Sequence, residues 1–290
     1  MTTIAIVGLG VVGGSFAKAL KQKPLSDECV LAIDSDQETL DKALADGVIE
    51  EGESHNQTIL QRADLVIICL YPEALKNFVQ SHKSEFKKGA ILTDVTGVKG
   101  ALMANMEKSL PKQVDFIFGH PMAGRESKGY AYADGAIFQG ANYVITPRPE
   151  NQLANIEKVK KRFERLGFKR ISIVTPEKHD EMIAFTSQLC HAIAVSLINS
   201  DHPERETASF VGDSYRDLTR IAKINAPLWT ELFLENKEAL LNAMADFEKQ
   251  FVAMKHALVT ENGCELEEMF QESTERRQRL EEADTKLNQL

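Results

Sequence analysis

The chain has 290 residues, of which 43% are hydrophobic and 27% charged. That is room for about two domains at ~150 residues each, enough to bury a sizeable core. A formal net charge of −9, with no concentrated basic stretch, argues against a binder of the nucleic-acid phosphate backbone. Cys29, Cys69, Cys190 and Cys264 stand far apart with no C-x-x-C pair, which argues against a disulfide framework and against a metal site.

The first half alternates short β-branched runs, at residues 3–7, 30–34, 65–70, 90–94, 115–118, 143–146 and 170–174, with helical stretches. Several runs are apolar on both faces, as a parallel sheet covered by helices requires. The pattern changes at Val174: Thr175 can cap a helix, Pro176 suits its first turn and Glu177 favours its positive end. Strand signals largely cease there. Met182, Ile183, Phe185, Leu189, Ile193, Leu197 and Ile198 wrap widely around the helix that follows, which predicts a largely buried helix at the centre of an all-α second domain. The expected organisation is an α/β domain with a doubly wound sheet over residues 1–174 and a helical domain over 175–290. The last thirty or so residues repeat apolar positions among many charges, a pattern for an amphipathic helix packed on a neighbour or another subunit. The longest apolar runs, at 65–71 and 192–198, fall short of the ~18–20 residues a spanning helix needs, so no membrane span is expected. No basic stretch precedes the first apolar residues, and the chain reads as cytosolic.

Gly8, Leu9, Gly10, Val11, Val12 and Gly13 follow the first strand and open a helix. Gly8 allows a tight turn, Gly10 lets a pyrophosphate approach the backbone, and Gly13 lets helix and strand pack closely. The second strand ends in Asp34, where a carboxylate accepts from a ribose 2′-hydroxyl and repels a 2′-phosphate. Ser35, Asp36 and Gln37 bring no cation. The unit therefore reads as a Rossmann-like dinucleotide site that prefers NAD to NADP.

Gly119, His120, Pro121, Met122, Ala123 and Gly124 close an apolar strand, so His120 should lie at a strand's carboxyl end, where open α/β sheets bind ligands. Its imidazole is a natural base for a hydroxyl losing hydride near neutral pH. Asp180, Ala184, Ser187 and His191 lay a small and polar stripe along the apolar helix. Ser187 and His191 either bond each other or a neighbouring helix, or face the interdomain cleft and contact substrate. Arg216 and Arg220 precede Asn225, Pro227 and Trp229, and Arg220 is the choice for a forked cation holding a substrate carboxylate.

In this order, these motifs resemble the prephenate/arogenate dehydrogenase family over about residues 3–245. The resemblance implies NAD-dependent oxidative decarboxylation of prephenate to 4-hydroxyphenylpyruvate in tyrosine biosynthesis, by a homodimer; the charge and the short apolar runs add the expectation of a cytoplasmic protein that binds neither nucleic acid nor membrane. It implies that His120 deprotonates the ring hydroxyl, that Arg220 holds the ring carboxylate, and that Ser187 and His191 line the substrate pocket. The chain departs from the family's pattern in three places. Gly97 stands where a serine commonly supports the histidine, and Thr96 is the candidate to replace its hydroxyl. Gln188 and Cys190 stand where His and Pro are usual. Arg125 stands where Ser or Thr is usual, and either engages the substrate's side-chain carboxylate or pairs with an acid such as Glu126.

Three other readings compete: an arogenate dehydrogenase, a β-hydroxyacid dehydrogenase, and a non-catalytic NAD-binding protein. Residues 179–204 contain no lysine, which weighs against the β-hydroxyacid reading.

Overall fold

The computed structural model describes residues 2–24, 27–124 and 127–289, and divides into two compact units, Met1–Ala239 and Leu240–Leu290. The first unit is built on one eight-stranded sheet in the order β3-β2-β1-β4-β5-β6-β7-β8. Its strands are β1 (Thr2–Val7), β2 (Glu28–Ile33), β3 (Glu51–Glu53), β4 (Leu65–Ile68), β5 (Ile91–Asp94), β6 (Asp115–Pro121), β7 (Asn142–Thr146) and β8 (Arg170–Ile173). Helices α1 (Val11–Gln22), α2 (Gln37–Ala45), α3 (Ile59–Arg62), α4 (Pro72–Ser81), α5 (Gly100–Met106) and α6 (Leu153–Leu166) alternate with them.

Side-chain alternation along the strands explains the layering. Ile4 and Ile6 point into one layer with Phe16, Leu20, Phe138 and Phe163, while Ala5 and Val7 point into the other with Leu75, Val79, Leu102 and Phe118. The doubly wound sheet is as expected, with two differences. β3 pairs with β2 as a parallel edge strand, although its Glu-Gly-Glu sequence carries no apolar signal. β7 runs antiparallel to β6, and the described part of their connection holds short 3-10 turns at Tyr130–Tyr132 and Gly135–Phe138, not a crossover helix.

Beyond the sheet, Thr175 caps α7 (Pro176–Ile183) by accepting from Lys178 N at 3.2 Å. A π-helical turn at Ala184–Gln188 joins α7 to α8 (Leu189–Asn199). The continuous helix Pro176–Asn199 has 24 residues and a window of mean hydropathy 1.4, which corrects the expectation from short apolar runs: by length and composition alone it could cross a membrane. Its polar residues His179, Asp180 and Gln188 are instead buried and hydrogen-bonded within the unit. The expectation of a largely buried helix is also corrected, since Met182, Phe185 and Ile198 are exposed.

Helices α9 (Asp213–Thr219) and α10 (Ala226–Glu235) complete this unit, with Arg220–Ala222 forming a 3-10 turn between them. α10 is tied to the α7–α8 helix by Asn236 Nδ2, which donates to Asp180 O at 2.9 Å and to Gln188 Oε1 at 2.8 Å. The second unit holds most of α11 (Lys237–Val259) and then α12 (Gly263–Gln289), the amphipathic helix expected at the chain's end. Phe247, Phe251, Leu258, Phe270 and Leu280 are exposed on these two helices.

Candidate active site

The loops after β1, β4, β5 and β6 meet at the carboxyl edge of the sheet, around a cavity of about 580 Å³. Its lining brings together Gly10, Val11 and Val12 from the first turn, His120 from β6, and Ser187, His191 and Arg220 from the helical part. Residues more than a hundred positions apart in sequence thus share one space.

The glycines of the first turn have distinct structural reasons. Gly8 has φ +86°, and a Cβ on Gly13 would lie 1.8 Å from Gly8 O. Neither position accepts a side chain. At Gly10 nothing lies within 4 Å of where a Cβ would stand, so the space above the α1 N-terminus is open for a ligand. Leu9 N donates to Asp34 Oδ2 at 2.6 Å, which fixes the β2 carboxylate beside the turn. Asp36 caps α2, accepting from Glu38 N, and adds no positive charge. An open cradle at a helix N-terminus beside a fixed carboxylate fits NAD.

His120 lies where β6 outruns β5. Its neighbour Gly119 donates from N to Asp94 Oδ1 at 3.0 Å, and a Cβ on Gly119 would strike Tyr143 Oη at 1.9 Å. Asp94 is fully buried and pairs with the fully buried Lys99 Nζ at 2.8 Å. Lys99 Nζ also donates to Thr96 O at 2.8 Å and to Thr96 Oγ1 at 2.9 Å. Thr96 Oγ1 donates to Asp94 Oδ2, with Val98 O 3.2 Å away as a second, longer acceptor of the same proton. Its hydroxyl is committed to this buried network, so the expectation that Thr96 replaces a serine hydroxyl beside His120 is corrected. Gly97 itself adjoins the ring, with its Cβ direction 3.8 Å from His120 Cε1.

The His120 imidazole is bonded on its other side. His120 Nδ1 is 2.9 Å from His179 Nε2, and His179 Nδ1 is 2.7 Å from Asp180 Oδ1. Asp180 also accepts from Lys99 N at 2.9 Å and from Gly100 N at 2.7 Å. Burial, then His179 and Lys99, hold the His120 pKa well below the usual histidine value. Burial lowers that of His179 as well, against the opposing effect of its hydrogen bond to Asp180. His120 is therefore a neutral imidazole at pH 7, and its hydrogen bond to His179 is made through Nδ1, not Nε2.

On the helical wall, His191 stacks on Trp229 with ring centroids 3.7 Å apart and bonds Ser187 O through Nδ1 at 2.9 Å. Lys128 and Lys223 join Arg220 as cations of the lining, which contains no Asp or Glu among the described residues. Arg216 instead pairs with Asp213 at 3.2 Å on the surface. Asn225 Nδ2 donates to Tyr71 Oη at 2.6 Å, joining two residues of the lining.

Two family models match the chain: the nucleotide-binding domain of prephenate dehydrogenase over residues 16–172 and its dimerization domain over residues 175–272. The chain belongs to the prephenate dehydrogenase family. A cyclohexadienyl dehydrogenase of Zymomonas mobilis is 30% identical over 94% of each chain. A prephenate dehydrogenase of Bacillus subtilis is 29% identical over 83% of this chain and 66% of its own. The solved prephenate dehydrogenase of Aquifex aeolicus in complex with hydroxyphenyl propionate and NAD+ superposes with a TM-score of 0.87 at 30% identity, covering 97% of this chain and 98% of that one. The chain is accordingly an NAD-dependent dehydrogenase of this family.

Among the residues singled out from sequence, Gly8 to Gly13, Asp34, Thr96, His120, Ser187, His191 and Arg220 are all placed around the cavity or against its turns. Arg125 lies outside the described residues. His179, Gly100 and Lys99 were missed. The signal was slight: a His-Asp pair in the helix opened by Thr175, and a Lys-Gly pair after the fifth strand.

Proposed function

We propose that this chain oxidises and decarboxylates prephenate to 4-hydroxyphenylpyruvate, with His120 as the base and Arg220 as the partner of the ring carboxylate. One observation carries the reading: a neutral imidazole at the sheet's carboxyl edge shares a cavity with the dinucleotide turn and with a lining whose described charges are all cations. Prephenate brings two carboxylates and a keto group. Arogenate brings an ammonium to the same place, where Lys128 and Lys223 would repel it.

NAD would supply, when bound, the acceptor for the hydride that leaves ring carbon 4. Gly10 and the α1 N-terminus would hold its pyrophosphate, and Asp34 its adenosine ribose. His120 Nε2 takes the hydroxyl proton as the carbon–oxygen bond becomes a carbonyl. Arg220 orients the ring carboxylate, whose carbon–carbon bond then breaks to release carbon dioxide and complete the aromatic ring. The electron pair of that bond restores the phenol oxygen, which recovers the proton lent to His120. The balance is prephenate and NAD+ in, 4-hydroxyphenylpyruvate, carbon dioxide and NADH out. Loss of carbon dioxide and gain of aromaticity make it effectively irreversible. Ser187 and His191 line the substrate's other end.

The boundary between the nucleotide-binding and helical parts is assigned to Val174. A cytoplasmic homodimer is the expected form, supported by the dimerization-domain match and by the exposed apolar side chains of α8, α11 and α12. NADH formation at 340 nm with prephenate or arogenate, and NAD or NADP, tests the whole reading. Turnover with prephenate and NAD that collapses in His120→Asn is expected; preferential turnover of arogenate overturns the substrate assignment.

A further inference from the structure

His120 sits at the end of β6 and His179 in α7, yet the two rings meet edge to face at 2.9 Å between nitrogens, 62° apart in plane. We propose that His179, anchored by Asp180, is a positioning residue that accepts the His120 Nδ1 proton and thereby leaves the basic lone pair on His120 Nε2. The proposal rests on the reading of His120 as the base and assigns what prepares it.

The bonds determine the tautomers in turn. Lys99 N donates to Asp180 Oδ1 and Gly100 N to Oδ2, so both oxygens act as acceptors. His179 Nδ1, facing Oδ1 at 2.7 Å, is therefore the donor. A neutral imidazole carries one N–H, so His179 Nε2 is an acceptor, and the nitrogen facing it, His120 Nδ1, must carry the proton. Both rings are neutral at pH 7: His120 is faced by His179 and Lys99, and His179 by Asp180, Lys99 and Asp94, with burial the largest influence on each. An imidazole without such a partner divides between its two tautomers, and only one of them presents a lone pair at Nε2.

Two features of the chain fit this role. A Cβ at Gly100 would stand 2.9 Å from Asp180 Oδ2, so a glycine there is what admits the carboxylate. Gly97 offers no hydroxyl to the His120 ring, which leaves His179 as the described side chain that hydrogen-bonds it. When His120 takes the substrate's proton, its Nδ1–H still points at His179, and the His179 N–H at the Asp180 carboxylate. The new charge is met without moving a heavy atom.

Asp180 also anchors the start of α5, so the test is made on His179. His179→Gln keeps an acceptor and a donor, and His179→Leu keeps neither. Nitrogen-15 spectra of histidine-labelled protein at pH 7.5 should show His120 as the Nδ1–H tautomer in the wild type and in His179→Gln, and as a mixture in His179→Leu. With prephenate and NAD, kcat should fall about 10- to 100-fold in His179→Leu, with KM changed less than about 3-fold, and His179→Gln should restore most of the loss. An Nε2–H tautomer of His120 in the wild type overturns the proposal, as does wild-type kcat in folded His179→Leu. If His179→Leu does not fold, the wild-type spectrum and His179→Gln decide. If the wild type itself fails to turn over prephenate, the functional reading fails, while the spectra still judge the relay.

Discussion

Replacing Lys99 by Met should couple a loss of stability to a change in the pH dependence of turnover. The Lys99 side chain is wholly buried, and its ammonium makes bonds of 2.8, 2.8 and 2.9 Å to Asp94 Oδ2, Thr96 O and Thr96 Oγ1. Met fills a similar volume, so the loss is that of the charge partner. Asp94 would remain in the core with only Gly119 N, Thr96 N and the Thr96 hydroxyl as donors. Removing one member of such a pair costs about 3–5 kcal/mol, because a buried charge is left uncompensated. At ~2–4 °C per kcal/mol for a protein of this size class, the melting temperature should drop by roughly 6–20 °C. Lys99 also helps lower the His120 pKa, so its removal should move the acid limb of kcat/KM to higher pH. Urea denaturation of Lys99→Met, and of Lys99→Met with Asp94→Asn, measures the energetic part, and the double variant should recover part of the loss. A cost below about 1 kcal/mol, or an acid limb that does not move, would refute the reasoning.

Acidification should destabilise the protein. His120 and His179 titrate below the ordinary value of 6.5 in the native state, so below that pH the unfolded chain binds more protons. Stability should be level above about pH 7 and fall as the pH drops through 6.5 toward the depressed native values, with a lower urea midpoint at pH 5.5 than at 7.5; an equal or higher one contradicts the assignment. Gly13→Ala should cost more than about 1–3 kcal/mol, since its Cβ meets a carbonyl at 1.8 Å, whereas Gly10→Ala should fold normally and weaken NAD binding. Calorimetry with NAD separates the two. Gly97→Ser should be tolerated within about 1 kcal/mol in urea, because its Cβ would meet Leu232 at 3.5 Å and His120 at 3.8 Å, both ordinary contacts.

The readable parts of the sequence were those in which one residue type answers one local demand. Strands buried on both faces need continuous apolar runs, and residues 65–68 and 91–94 supply them. A turn that must accept positive φ and then admit a helix needs Gly8 and Gly13 in place. β3 was not readable, because an edge strand of three residues is held by backbone pairing to Leu31, Ala32 and Ile33, and its Glu-Gly-Glu side chains contribute nothing to that pairing. The polar stripe on the long helix follows from α-helical spacing. The π turn inserts a residue into that register and turns Gln188, not only Ser187, inward, where it donates to Leu232 O at 2.9 Å. Proximity along the chain to Gly97 points to Thr96, whereas its hydroxyl follows the nearest buried charges, Asp94 and Lys99.

His179 was hidden for a related reason. In sequence it is one polar residue in a first helical turn rich in charge, between Lys178 and Asp180, where exposure is the default. Its burial follows from α7 approaching the start of α5, where Asp180 receives two backbone N–H groups that would otherwise lack partners. The same contact that completes α5 brings the neighbouring imidazole against His120. One carboxylate thus serves a helix terminus through two backbone bonds and a candidate base through an intervening ring. This also links the two buried acids of the site. Asp94 holds the backbone beside His120 through Gly119 N, and Asp180 holds the ring through His179, with Lys99 between them, giving its ammonium to the first acid and its backbone N–H to the second. A strand-end histidine is readable from sequence because its position follows from one strand, whereas the charges that tune it come from three separate segments and become visible only when those segments pack.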